Sequence, residues 1–474
     1  MKKFLFLLSL FLFAGCSFFS EESSKILILY TNDEHGHFYE NDGWYKGVAL
    51  YEMWEEEEKN CKNCEVIRLS GGDNYTGTAV STFSKGGSMA EVMNVLGYKA
   101  VAVGNHEFDF GEKSFEENAG LAGVPYLCAN IVSKEGKNLF EPYKVFYAGK
   151  TKILLVSVIT EEASEVSMSE IFHKSDILKP AKLVEKLIAD EKADLNLVLA
   201  HESYKETLPW IAKLPEKPLA VFTGHDHKES VVAENGVQFI QNAGYLKSYA
   251  KILIEKSGKN FKILEAATVP LKRDVQLRTQ NALKIKEITD KHLGLLNKIM
   301  GAELIQATSA VSKSDFQKFY ACSLLEYFPD TDAAVSNPGG FRDSIKAGTV
   351  RKSDILSMFP FENFIVRTDV SGEDLIYDIS LSENAYCGVL QKDGKWFLEN
   401  GKEIEKSQKY TVVTTDFVYS GGDGYRFSNS HGNQTDVIWR KPVENFMLES
   451  SKQGLTLEEA SKNLMKKHKI EENQ

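Results

Sequence analysis

Five short apolar runs, rich in β-branched residues, punctuate the first half of the chain, and each ends in a polar cluster. Ile26–Tyr30 runs into Thr31-Asn-Asp-Glu-His35, Val66–Leu69 into Gly71-Gly-Asp73, and Ala100–Val103 into Gly104-Asn-His-Glu107. Leu195–Ala200 precedes His201, and Leu219–Thr223 precedes Gly224-His-Asp-His227. Runs this apolar, without strict alternation, predict strands buried on both faces. Between them Ser88–Leu96 and Ala181–Asp190 have helical character. Strands alternating with helices predict an α/β domain, here over residues 26–270. In such folds ligands and catalytic groups gather at the carboxyl ends of strands, where the five clusters fall.

Farther on the pattern changes. From about Arg278 to Met300 apolar residues at Ile285, Ile288, Leu295 and Ile299 predict a helix, which makes 271–300 a link between domains. Residues 301–474 form a second domain, with glycine-rich turns at Asn337–Arg342 and Gly421–Gly424 and a charged surface helix over Leu455–Gln474.

Composition narrows the class. With 474 residues, 43% hydrophobic and 26% charged, the chain is globular, not disordered, collagen-like or polytopic in a membrane. Its 56 basic and 67 acidic side chains leave a net charge of −11, which argues against a partner made of nucleic acid. Only eight of the basic residues are arginine, so an arginine inside a motif carries extra weight.

The first 16 residues read as an export signal: Lys2 and Lys3, an apolar stretch from Phe4 to Phe13, then Ala14-Gly15 before Cys16. That stretch is too short to span a bilayer, which takes about 20 apolar residues. Cys after Ala-Gly resembles the bacterial lipoprotein signal. The resemblance implies lipidation of Cys16 and a membrane anchor facing the periplasm or the exterior, with residues 17–25 as a tether. Five cysteines remain, an odd number that leaves at least one thiol unpaired; Cys61 and Cys64 are close enough for a small local disulfide.

Six of the ten histidines sit in the strand-end clusters: His35, His37, His106, His201, His225 and His227. Asp33-x-His35 and His225-x-His227 alternate ligands, and in an extended backbone residues i and i+2 point the same way. Asp73 adds a carboxylate after a Gly-Gly turn and Asn105 an amide oxygen. Oxygen and imidazole without thiolate favour Zn, Mn, Fe or Co. The number of donors suits two divalent ions about 3.5–4 Å apart, the arrangement used for in-line displacement at phosphorus.

This order of motifs resembles the calcineurin-like metallophosphoesterases, and Thr31–His37 and Gly104–Gly111 are similar to the bacterial 5′-nucleotidase branch. The resemblance implies an N-terminal metallophosphoesterase β-sandwich flanked by helices and a smaller α/β C-terminal substrate-binding domain. It implies that Asp33, His35 and His227 hold one metal, that Asn105, His201 and His225 hold the other, and that Asp73 bridges them. His106 would stabilise the transition state or protonate the leaving oxygen, oriented by Asp109. Glu34, Glu107 and Asp226 would be exposed or loop residues and His37 structural. In the second domain Phe361 and Phe417 would clamp a base, Asn363 would make a polar contact to the base or substrate, Asp423 would bind the ribose, and Arg342 the phosphate. The segment Ala307–Tyr320 lacks the further arginines expected there and offers Lys313 and Lys318 instead. The implied protein is an exported, monomeric, metal-dependent nucleotidase acting on small phosphoesters through metal-activated hydroxide. The alternatives are a 2′,3′-cyclic nucleotide phosphodiesterase, a thiosulfohydrolase-like enzyme and a non-catalytic surface binding lipoprotein.

Overall fold

The computed structural model describes residues 25–40, 42–167, 169–383, 385–427 and 431–468, so the export signal and Cys16 lie outside the described residues. Two six-stranded sheets dominate the first half. One runs in the order Asn260–Pro270, Ser248–Ser257, Lys25–Thr31, Cys64–Ser70, Ala100–Ala102, Tyr126–Leu127. The other runs Ser230–Glu234, Val237–Gln241, Ala220–Thr223, Leu195–His201, Thr151–Ile159, Tyr143–Ala148. Alternation along each strand divides its side chains between two cores. Ile26, Ile28 and Tyr30 of the first sheet meet Leu197, Leu199 and Phe222 of the second, which packs the sheets face to face. Leu27 and Leu29 turn outward onto the helices Lys46–Asn60 and Gly87–Leu96. On the far side Val198 and Ala200 pack against Pro180–Glu191. The arrangement is the expected helix-flanked α/β sandwich. Lys25–Thr31, Cys64–Ser70 and Ala100–Ala102 are parallel neighbours, as are Leu195–His201 and Ala220–Thr223, so the five strand ends open on one edge.

The linking helix spans Gln280–Met300, capped by the Thr279 hydroxyl accepting from the Ala282 N–H. Its buried stripe differs from the expected one. Ala282, Ile285, Thr289, His292 and Leu296 face the core, whereas Leu295 and Ile299 are 47% and 61% exposed. Two polar members of the stripe are satisfied locally: Thr289 donates to the Ile285 carbonyl and His292 bonds Glu91 at 3.1 Å. A hydrophobicity count therefore found part of the stripe, Ile285 and the partly buried Ile288, and missed its polar members.

Beyond it lies a five-stranded sheet ordered Tyr386–Cys387, Ala333–Val335, Lys409–Thr415, Phe364–Ser371, Gly432–Ile438. Helices Lys313–Tyr327, Lys441–Lys452 and Leu457–Lys467 cover one face and Gly372–Leu381 the other. The terminal helix is not merely a surface element, since Leu457, Ala460, Leu464 and Met465 are buried. The two halves touch where Lys352–Met358 packs on Ala79–Phe83. There the Ala79 N–H donates to Ser357 Oγ at 3.0 Å, and Leu356 joins the core of the first half. Burying that leucine contributes roughly 1.5–3 kcal/mol to holding the halves together. Cys61 pairs with Cys64 as expected, Cys322 pairs with Cys387, and Cys128 is a buried thiol. No helix among the described residues is long and apolar enough to cross a membrane.

Candidate metal centre and substrate cavity

The ligand-x-ligand pairs do not lie on extended backbone. Strands Lys25–Thr31 and Ala220–Thr223 end before them. Asp33 and His35 have φ of 53° and 46°, and His225 and His227 of 77° and 58°. In the left-handed region the same-side rule for i and i+2 no longer applies, and the second pair separates. Asp33, His35 and His227 form one group and Asp73, His201 and His225 another, with the ligand atoms of each group within 4.8 Å of one another. Left-handed conformations cost non-glycine residues of order 1–3 kcal/mol each. Asp73, with φ of 57°, is a fifth such residue in the same place.

The hydrogen bonds around these groups fit metal ions. His35 Nδ1 lies 2.8 Å from the Thr76 carbonyl and His201 Nδ1 2.7 Å from the Gly71 carbonyl. A carbonyl only accepts, so each Nδ1 carries a proton and each Nε2 faces the cluster, where a cation would take its lone pair. His35 Nε2 lies 3.2 Å from His227 Nε2. His201 Nε2 lies 3.3 Å from Asp73 Oδ2 and 3.1 Å from Asn105 Oδ1, and Asn105 Oδ1 is also 3.0 Å from His225 Nδ1. Donor atoms converging in this way suit cations held between them. Burial, together with His201, pushes His225 down to about 4; burial and Arg342 push His227 down to about 3. Both are thus neutral near pH 7, the form that binds a metal. At His201 burial is overridden by Asp73, and the imidazole rises to about 10, marking a position that favours positive charge. Asp33 is held by the Asn32 side chain and by the His225 N–H, Asp73 Oδ1 by the His106 N–H at 2.8 Å.

Two carboxylates expected at the surface are buried and organise these loops. Glu107 accepts from Gly104 N at 2.6 Å, Asp73 N at 3.0 Å, Asn74 N at 2.8 Å and Asn74 Nδ2 at 3.0 Å. Glu34 accepts from Ser70, Tyr98 and Thr31. Burial of Glu107 is possible because the tight turns after the strands expose backbone N–H groups that need acceptors, and burial of Glu34 because three hydroxyls surround it. Gly104 sits in the middle: a Cβ there would come within 2.2 Å of Asp73 Oδ1 and 2.5 Å of Glu107 Oε2. Asp226 does behave as a loop residue, accepting from Gln241. His37 bonds Glu40 at 2.9 Å, outside both donor groups.

His106 borders the centre. Its Nδ1 lies 2.8 Å from Asp109 Oδ2, and its ring centroid is 5.5 Å from that of His35. Burial lowers its pKa, but Asp109 and Asp73 together raise it above the ordinary value.

A cavity of about 690 Å³ opens on Asp73, Asn105, His106, His225 and His227 and is closed by the second half of the chain. Arg342, Phe361, Asn363, Phe417 and Asp423 all line it. Phe361 lies with its centroid 5.6 Å from that of His106, and the Arg342 guanidinium is 5.5 Å from the same ring. Gly422 abuts one side of Phe417, where a Cβ would come within 2.4 Å of the ring. Asp423 accepts from Asn337 Nδ2 at 2.8 Å. Lys313 and Lys318 are not among the described residues that line the cavity.

Comparison with known proteins agrees with this arrangement. Residues 292–388 match the family described as 5′-nucleotidase, C-terminal domain. The chain is 25% identical over 486 residues to Protein UshA of Escherichia coli (strain K12), covering 87% of this chain and 88% of that protein. Over most of its length the chain is similar to 5′-nucleotidases. A 5′-nucleotidase of Vibrio cholerae is 26% identical over 484 residues, covering 87% and 88% of the two chains. The crystal structure of a 5′-nucleotidase precursor from Thermus thermophilus superposes with a TM-score of 0.75 at 20% identity, covering 90% of this chain and 96% of that one.

Within this family frame the cavity wall includes residues that sequence reasoning passed over. Asn337 sits in the same glycine-rich motif as Arg342, and Asp416 immediately precedes Phe417, so adjacency was the available signal. Trp439 and the stretch Val166, Ser167, Ser169 and Glu170 carried none. Tyr245 packs against His35, His37 and His227 at centroid distances of 5.4, 4.8 and 4.8 Å. Its φ of 65° is a feature no composition reveals.

Proposed function

We propose that the protein is an exported phosphoester hydrolase that releases phosphate from nucleotides. What supports the reading is one convergence: members of both imidazole–carboxylate groups (His227 of one, Asp73 and His225 of the other), His106, Arg342 and two phenylalanine rings border a single cavity. Asp33, His35 and His227 would hold one divalent cation, Asn105, His201 and His225 a second, and Asp73 both. Two cations so placed supply charge neutralisation at the phosphoryl oxygens and acidify water at neutral pH.

The chain's own groups do the rest. Phe361 and Phe417 receive the base between their rings, and Asp423 accepts from the ribose hydroxyls. Arg342 orients the phosphate through its planar fork. Asp109 takes the Nδ1 proton of His106 as a hydrogen bond, which keeps the second proton at Nε2, facing the centre, for the departing alkoxide. With the Asp109 carboxylate accepting from Nδ1, the imidazolium is favoured before transfer and the tautomer is set after it.

The charged and apolar stretches of residues 1–15 before Cys16 support export and a lipid anchor, and the disulfides Cys61–Cys64 and Cys322–Cys387, which persist outside reducing compartments, support export. The test is a substrate panel run with Mn, Zn or Co alongside metal analysis. Nucleoside 5′-monophosphates are expected to release phosphate, and His106→Ala is expected to abolish turnover with two metals still bound. Turnover confined to cyclic nucleotides or to thiosulfonates, or none at all, would overturn the proposal.

A further inference from the structure

The loop carrying Phe361 and Asn363 and the short helix Asp416–Tyr419 carrying Phe417 come from separate parts of the second half, and one carboxylate joins them. Asp416 Oδ1 accepts from Asn363 Nδ2 at 2.7 Å and from the Phe417 N–H at 2.8 Å, while Oδ2 accepts from the Phe364 N–H at 3.1 Å. The same loop is held from behind. Trp439 donates its backbone N–H to the Asn363 carbonyl at 3.0 Å and its Nε1–H to the Phe361 carbonyl at 2.9 Å. Arg440 Nη1 donates to the carbonyls of Phe359 and Phe361 at 2.8 and 2.7 Å. With the backbone pinned, the Asn363 amide retains one choice, which end meets Asp416. An ionised carboxylate accepts and cannot donate, so the NH₂ must face it. Asn363 Oδ1 is left as an acceptor with no hydrogen bond from the described residues, on a side chain that lines the cavity beside both rings.

We propose that Asp416 is a positioning residue that makes this site read a hydrogen-bond donor on the base. Asn363 Oδ1, held by Asp416, accepts an N–H from the base edge, so a purine bearing an exocyclic amino group is preferred over one without it. The inference rests on the reading of Phe361 and Phe417 as a base clamp. It assigns to Asp416 no contact with the reacting atoms.

Nucleosides test it, because they occupy the base site without turning over. Calorimetric titration of the metal-loaded protein is expected to show adenosine binding about 3- to 10-fold more tightly than purine riboside, which lacks the amino group. In Asp416→Asn an amide replaces the carboxylate and Asn363 can turn either end to it, so the ratio should fall to about one. Asn363→Ala, which leaves Asp416 and its two backbone bonds in place, should give the same collapse. A purely structural role for Asp416 would weaken both nucleosides together and leave the ratio intact, which overturns the proposal. Equal affinities in the unsubstituted protein, or no binding of either nucleoside, would overturn it as well. If adenosine is preferred and the ratio collapses as expected while no nucleotide is hydrolysed, the inference stands and the nucleotidase reading falls.

Discussion

Glu107→Gln is the sharpest test of how the metal loops are held. The substitution is nearly isosteric, so it leaves no cavity and changes one thing, the number of acceptor atoms. Four donors converge on the carboxylate: Gly104 N and Asp73 N on Oε2, Asn74 N and Asn74 Nδ2 on Oε1. Glutamine keeps one acceptor oxygen, and its NH₂ would face the other two N–H groups. Two donors therefore lose their partner in a place where water does not reach, since Glu107, Asp73 and Asn74 are all buried. At about 1–3 kcal/mol for each buried unsatisfied group, the loss is about 2–6 kcal/mol.

The measurement is urea unfolding at pH 8, above the value of about 7 to which burial and Asp73 push Glu107, so that the comparison is with the ionised side chain. A second consequence follows from which groups are released. Asp73 N and Gly104 N belong to the loops that present Asp73 and Asn105, so the variant should also bind fewer than two equivalents of metal after gel filtration. A stability loss below about 1 kcal/mol with both metals retained would refute the claim that Glu107 organises the site.

Asp109→Asn should lower kcat about 10- to 100-fold with KM and metal content unchanged, because the 2.8 Å contact that sets the His106 tautomer becomes ambiguous; steady-state kinetics with metal analysis decides it. Arg342→Lys should raise KM for a nucleotide about tenfold with little change in kcat, since an ammonium keeps the charge and loses the fork; an unchanged KM would remove Arg342 from substrate binding. His468 is held between Glu399 at 2.8 Å and Glu326 at 3.0 Å. Burial lowers its pKa, but the two carboxylates outweigh it and raise it above the ordinary imidazole value of 6.5. A raised folded pKa contributes stability that is fully present below about pH 6.5 and fades as pH rises through the folded value. The difference in urea midpoint between the unsubstituted protein and His468→Asn should accordingly be largest below pH 6.5 and shrink in alkaline solution; a gap that widened with pH would be the wrong sign.

The residues that cluster at the strand ends were legible because chemistry limits them. Aspartate, asparagine and histidine at the carboxyl ends of buried strands have few purely structural uses, and six histidines in such positions leave fewer still. Their geometry was not legible. Strand periodicity described the segments up to Thr31 and Thr223 and then failed, because the chain turns into left-handed conformations that depend on contacts from other loops. Asp33 and His225 show this: the His225 N–H bonds the Asp33 carboxylate across 192 residues of sequence. Partners supplied by neighbouring loops also hid Glu34 and Glu107. A carboxylate beside a ligand reads as a solvated loop residue until the backbone donors that surround it are known, and those donors come from turns whose shape the carboxylate itself helps to set. On the linking helix, Thr289 and His292 were passed over for a related reason, since a pattern of apolar letters cannot register that Ile285 and Glu91 satisfy them. What escapes the sequence in each case is the polar group that is buried because its partner is present. Such partners depend on how the backbone and the other loops are placed, whereas apolar burial needs no particular partner and shows itself locally.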